Sequence, residues 1–105
     1  MYVIVFYDVP SNRIRRKVAD ACMDYGLDRT QFSAFVGDIA PGHQRELMLK
    51  LQNLLGDQPG ALLLIPIDRQ EWHNRLEYRR DAPGDGLSTF PSSIAEREQG
   101  DGTLL

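Results

Sequence analysis

Asp8 stands in the stretch VIVFYDVP, in which Val3, Ile4, Val5 and Phe6 run directly into Tyr7 and a carboxylate. An acid where a strand ends has two ordinary uses. It caps the turn or helix that follows, or it serves chemistry at the carboxyl end of the strand, where ligand sites of open α/β sheets gather. Ser11 already supplies a cap, so the second use stays open for Asp8. As a metal ligand it lacks company. Mg²⁺ takes one or two carboxylates and keeps several waters, yet no DxD or ExxH-like pair stands near Asp8. Tyr7 offers a hydrogen bond or a stacking ring beside it, or the amphipathic packing common to a strand-end tyrosine.

Four cations follow within a few residues: Arg13, Arg15, Arg16 and Lys17. On a helix, Arg13, Arg16 and Lys17 fall opposite the apolar stripe, where a solvated face with an Arg16–Asp20 pair is the plain reading. Arg15 differs, because it projects at the border of the apolar face beside Val18 and Cys22. From there its guanidinium is expected to reach around the strand end toward Asp8, and with Arg29 to form a two-armed clamp for phosphate. Other chemistries find little support. His43 and His73 have no ligand spacing to each other or to Cys22, Cys22 itself falls on a buried helix face, and neither Ser11 nor Ser33 sits in a nucleophile elbow. No P-loop and no GxGxxG is present.

The elements that must position these residues are readable from periodicity. Residues 2–7 are apolar at successive positions, as in a central strand covered on both faces. Ser11 caps a helix whose Ile14, Val18, Ala21, Cys22 and Tyr25 share one face, and Gly26 stops it. Residues 28–39 are extended, with Thr30, Phe32, Ala34 and Val36 expected on one face and Gln31, Ser33 and Phe35 on the other. One bent strand and a hairpin both fit, since no Asn-Gly or Asp-Gly marks a turn. A second helix opens at Pro41, buries Leu47, Met48, Leu51, Leu54 and Leu55, and ends at Gly56. ALLLIPI over 61–67 is a strand, and Pro66 marks an unpaired side or an exit from the sheet. Residues 74–80 are expected to form a further short strand. This order predicts an α+β, ferredoxin-like βαββαβ sandwich over residues 1–80. Two helices cover one sheet face; the bare face predicts a second copy as partner, hence a homodimer.

Charge is divided along the chain. Of 105 residues, 12 are Lys or Arg and 15 are Asp or Glu, a net charge of −3. Residues 1–80 nonetheless sum to +1, and 81–105 to −4. The acidic, Gly/Pro/Ser-containing stretch 81–105 is expected to be a mobile tail. Ten of the twelve cations are Arg, the residue suited to forked contacts with phosphate, so the body permits a nucleic-acid partner without demanding one. No apolar run approaches a membrane span, no charged leader precedes an apolar stretch, and a single cysteine fits a reducing compartment. The expectation is a cytoplasmic protein with no membrane partner.

The stretch MYVIVFYDVPSNRIRRKVADACMDYGLDRTQFSAFVGDI resembles the opening of the small CRISPR-associated adaptation protein, the non-integrase subunit of the spacer-acquisition complex, also described as a CRISPR-associated endoribonuclease. An apolar strand ends in Tyr-Asp, a helix follows with Arg and Lys near its start, and YGLDRTQFSAF is similar to that family's Gly-Leu-x-Arg-x-Gln-aromatic-Ser-x-Phe stretch. The likeness covers about residues 1–67; past Asp68 no motif is matched. It implies a homodimeric ferredoxin-like protein that binds duplex DNA, the incoming protospacer, and bridges integrase subunits. It implies Asp8 as the metal ligand, paired across the dimer dyad with its copy around one Mg²⁺ or Mn²⁺ for phosphodiester hydrolysis. Tyr7, Arg15, Lys17, Arg29 and Phe35 fall at that family's polar and aromatic functional positions, with Arg13 and Arg16 supporting them on nucleic acid. Two rival readings are a stand-alone metal-dependent endoribonuclease acting on single-stranded RNA, and a ferredoxin-like module that senses a small metabolite.

Overall fold

The computed structural model describes residues 1–78 and 80 of the chain. Strand β1 spans Tyr2–Asp8, helix α1 Asn12–Asp24, strands β2 and β3 Asp28–Gln31 and Ala34–Asp38, helix α2 Pro41–Leu55, strand β4 Ala61–Ile67 and helix α3 Arg69–His73. The strands form one antiparallel sheet in the order β2-β3-β1-β4. Both long helices lie on one face, which makes this a ferredoxin-like sandwich with one added short helix. Among the described residues no helix is long and apolar enough to cross a membrane.

Helix α1 starts where Ser11 Oγ accepts the Ile14 N–H, as its sequence signals. It ends in a Schellman turn: Leu27 N–H donates to the Cys22 carbonyl and Gly26 N–H to that of Met23. Gly26 holds φ +86° there, a left-handed value that a side chain resists. The helices bury Ile14, Val18, Ala19, Ala21, Cys22, Leu47 and Leu51 against Val3, Val5, Tyr7 and Phe35 of the sheet. Pro66 lies on β4, which among the described residues pairs only with β1, so the missing N–H costs no ladder bond to a second neighbour there.

Three expectations are corrected. Covering of β1 on both faces is graded rather than complete. On its second face Tyr2 is buried with Val36 and Trp72, Ile4 partly so, and Phe6 stands open. The cause is that only α3 reaches this face, and it covers one corner.

Residues 28–38 form a hairpin of two strands, turning at Phe32 and Ser33. Among the described residues no non-glycine residue has positive φ, so the turn does not use the usual Asn-Gly signal. A register irregularity between Arg29 and Gln31 absorbs the twist mismatch instead. It also defeats the strict alternation expected here: Gln31 faces Ala34 across the ladder, and Phe32 leaves the sheet at the tip.

Residues 74–78 and 80 form no strand within the chain. Asp68 and Glu71 close a capping box that winds 69–73 into α3. Leu76 and Tyr78 beyond it are exposed, so their apolar side chains find no sheet in the same molecule. The expected tail 81–105 lies outside the described residues.

Candidate functional site

Successive strand residues point to opposite faces, and that pleat separates Asp8 from its neighbour. Val3, Val5 and Tyr7 enter the helix-covered core, while Phe6 and Asp8 look out from the open face. Opposite Asp8 in the ladder stands Ala61, and opposite Phe6 stands Leu63. The end of β1 is packed tightly. A Cβ on Gly60 would meet the Asp8 carbonyl at 3.2 Å and Leu55 Cδ1 at 2.9 Å, so glycine is what lets β4 begin against the strand end. The Asp8 carboxylate is exposed, and no hydrogen bond or ion pair engages it among the described residues.

On the other side, Tyr7 organises a compact polar and aromatic group. Its ring stacks on Phe35, with centroids 6.2 Å apart. Its hydroxyl donates to the Phe32 carbonyl at 3.2 Å and accepts from Arg29 Nη2 at 3.3 Å. Arg29 Nη2 also donates to the Phe32 carbonyl at 3.1 Å, and the Tyr7 N–H donates to the Ser33 carbonyl at 3.1 Å. Burial pushes the Tyr7 phenol above its usual range, with Arg29 pulling the other way. The hydroxyl therefore stays protonated at neutral pH and keeps donating.

Arg15 does not reach Asp8. Its Nη1 donates to the Val9 carbonyl at 2.8 Å and to that of Pro10 at 3.4 Å, and its Nη2 bonds Asn12 Oδ1. Those acceptors hold the guanidinium beside the ring of Phe32, 5.3 Å from its centroid. Arg29 approaches the same ring at 5.7 Å and Phe35 at 5.3 Å. The two arms expected of Arg15 and Arg29 do come together, but around Phe32 and on the face away from Asp8. Each guanidinium is held by neutral acceptors, and neither has a carboxylate partner among the described residues. Arg13, Arg16 and Lys17 are exposed on α1, and the Arg16–Asp20 pair does not form. The exposed face of α1 and the hairpin tip thus carry five cations, none of them ion-paired among the described residues, although Asp20 and Asp24 share the exposed surface of α1 and Asp28 precedes Arg29.

Cys22 is core, as its helix position indicates, and burial pushes its thiol up to about 12. His43 and His73 stand exposed and apart from this group. The fit of a divalent cation is decided by counting donors. Among the described residues no group of three or more His, Cys, Asp or Glu is placed to hold a metal ion, and Asp8 alone does not make a site. The described residues of one chain do not by themselves complete a metal centre.

Two contributors were missed in the sequence. Phe32 was assigned to a sheet face but is the tip around which both arginines gather; an aromatic at a turn position was the available signal. Trp72, buried in α3 beneath Arg75 at 4.1 Å, was signalled by the Asp68-x-x-Glu71 capping pattern.

The family model described as CRISPR associated protein Cas2 matches residues 1–75. The chain belongs to the Cas2 family. It is 40% identical over 83 residues to the CRISPR-associated endoribonuclease Cas2 2 of Chloroflexus aurantiacus, a match covering 77% of this chain and 98% of that one. It is 39% identical over 70 residues to a CRISPR-associated endonuclease Cas1/endonuclease Cas2 fusion of Thermoproteus tenax, covering 67% of this chain and 26% of the fusion. The crystal structure of Streptococcus pyogenes Cas2 superposes with a TM-score of 0.66 at 26% identity, covering 76% of this chain and all of that one. The Cas2 fold therefore accounts for β1 to α3, and the Tyr7–Arg29–Phe32 group sits within the matched span.

Proposed function

We propose that this Cas2 family member serves CRISPR adaptation as a homodimer that binds duplex DNA and bridges integrase subunits. The observation that carries the reading is the set Arg13, Arg15, Arg16, Lys17 and Arg29, clustered on α1 and the hairpin with none of them ion-paired to an acid among the described residues. Within this set Arg15 and Arg29 are held by neutral acceptors, which pre-positions them for a phosphate backbone before any ligand arrives. The fusion relative supports an integrase partner, since in that protein a Cas1 and a Cas2 unit share one chain. The bare sheet face supports a second copy of this chain.

Charge reversal tests the DNA surface. Arg15→Glu with Arg16→Glu is expected to weaken duplex binding. Each lost phosphate contact should also lower the log–log salt slope by ~0.9. Unchanged affinity and slope would place the DNA surface elsewhere.

The relatives' name, endoribonuclease, favours a second reading in which nucleic acid, including single-stranded RNA, is also cut. The residue that would serve it is Asp8. It lies on the open face beside Phe6, so a second copy docked through that face would bring a second Asp8 toward it. Such a pair would hold Mg²⁺ or Mn²⁺, which supplies charge neutralisation at the phosphate. In this arrangement the protein's part is to present two carboxylates from rigid strand ends. Asp8→Asn is expected to abolish cleavage while leaving duplex affinity within about twofold. A metal-dependent rate that survives this change in highly purified protein would end the hydrolytic reading.

A further inference from the structure

The hairpin tip carries more than two cations. Phe32 is 67% exposed at a turn position, where small polar residues usually stand. Two guanidiniums gather on its ring, at 5.3 Å and 5.7 Å. The tip is nevertheless rigidly held. The Phe32 carbonyl accepts from both Tyr7 and Arg29, the Ser33 carbonyl accepts the Tyr7 N–H, and Thr30 Oγ1 donates to the Ala34 carbonyl at 3.2 Å. An exposed ring with fixed backbone loses little freedom on meeting another flat surface.

We infer that Phe32 stacks on a nucleobase that is not held in a duplex, with Arg15 and Arg29 engaging the phosphates that flank it. This rests on the nucleic-acid reading above and adds the substrate feature the site selects. Bases inside a duplex have both faces covered by their neighbours, so the ring finds a free face only at an end, a gap or a single strand. Aromatic side chains take such bases with little regard to sequence, because every base has a π-face. The two guanidiniums add the matching chemistry: in any strand a phosphate lies on each side of a base, and both cations here are without an acid. A protein acid patch would satisfy the arginines but leave the ring unused. The adjacency of ring and cations therefore favours the nucleotide.

Fluorescence anisotropy on the full chain tests this with two probes at one salt concentration: a blunt duplex, and the same duplex with unpaired thymines at its 3′ ends. The unmodified protein is expected to hold the frayed probe about tenfold more tightly. Phe32→Leu, which keeps an apolar side chain without a π-face, should bring the ratio of the two affinities to about one, whatever common change the loss of the ring beside Arg15 and Arg29 makes to both probes. Phe32→Trp should retain the preference, and matching thermal melts would show that both variants fold. Equal affinity for the two probes in the unmodified protein would overturn the inference while sparing duplex binding. So would a Phe32→Leu protein that keeps the preference, even one that binds both probes more weakly. If Phe32→Leu left both probes unaffected but abolished co-purification with the integrase subunit, the ring would be reassigned to a protein contact. Absence of salt-dependent affinity for either probe would overturn both readings together.

Discussion

Tyr7 and Asp8 are adjacent in the chain and do separate jobs because the pleat sends one inward and one outward. Tyr7 is the more constrained of the two: its hydroxyl both donates and accepts, and its ring lies on Phe35. Beside it Cys22 illustrates how burial alone sets a chemical property. Its thiol is pushed from an ordinary 9.0 to about 12 with no anion nearby to cause it. Cys22 should therefore ignore Ellman's reagent at pH 8 in the native protein and react fully in denaturant. The same shift makes a pH prediction. A folded pKa raised above the unfolded one means the unfolded chain loses its proton first, so stability falls as pH rises from about 9 toward 12. Tyr7 pulls the same way, since its phenol is also raised. Melting temperatures should drop across that window, and the drop should shrink in Cys22→Ala. A flat profile in the parent protein would show that the thiol is not held neutral.

Among the elements, the β2–β3 hairpin does most to build the site, because its turn brings Phe32 to both arginines. Its position is set by a close approach at Gly37, where an added Cβ would lie 2.5 Å from Leu27 Cδ2 and 3.1 Å from Leu27 Cα. Side-chain motion relieves the first contact but not the second, which is backbone. Gly37→Ala should therefore cost about 1–3 kcal/mol, read as a lowered denaturant midpoint. It should also weaken DNA binding by shifting the tip. A variant as stable as the parent would mean that the Schellman turn at Gly26 and Leu27 moves more easily than its hydrogen bonds suggest. Periodicity revealed α1, α2 and β4 nearly to the residue, since each has a long apolar pattern and a clear stop. The hairpin was less legible: its turn uses no glycine or asparagine, and its register irregularity has no signature in residue type.

For the molecule as a whole, the open sheet face is the unfinished feature. Phe6, Leu63 and Ile65 stand 41%, 53% and 38% exposed side by side on it, a contiguous patch of the kind that marks an interaction surface. Only the corner under Trp72 is closed. Leu63→Glu with Ile65→Glu should convert the proposed dimer to a monomer in sedimentation velocity, with the helix-covered core and the far-UV spectrum unchanged. Trp72 is the only tryptophan and sits on this face, so its emission should shift on dilution of the parent protein and stay constant in the variant. A double variant that sediments as the parent does would show that this face does not join two copies.

The sequence by itself determined the layered α+β fold, the helix caps, the edge position of the strand with Pro66, and the resemblance that led to the Cas2 family. These depend on short-range patterns of apolarity and on capping residues, which are written locally. Tertiary structure decided which functional residues meet. Arg15 and Asp8 seemed within reach of each other along the chain, yet β1 puts the carboxylate on one face and α1 puts the guanidinium on the other. Phe32 fits an alternating strand by sequence, yet the hairpin turn puts it at the tip, beside Arg15 and Arg29. Side-chain direction at a strand end or a hairpin tip depends on pleat and register, and those are set by pairing with residues far away in the chain.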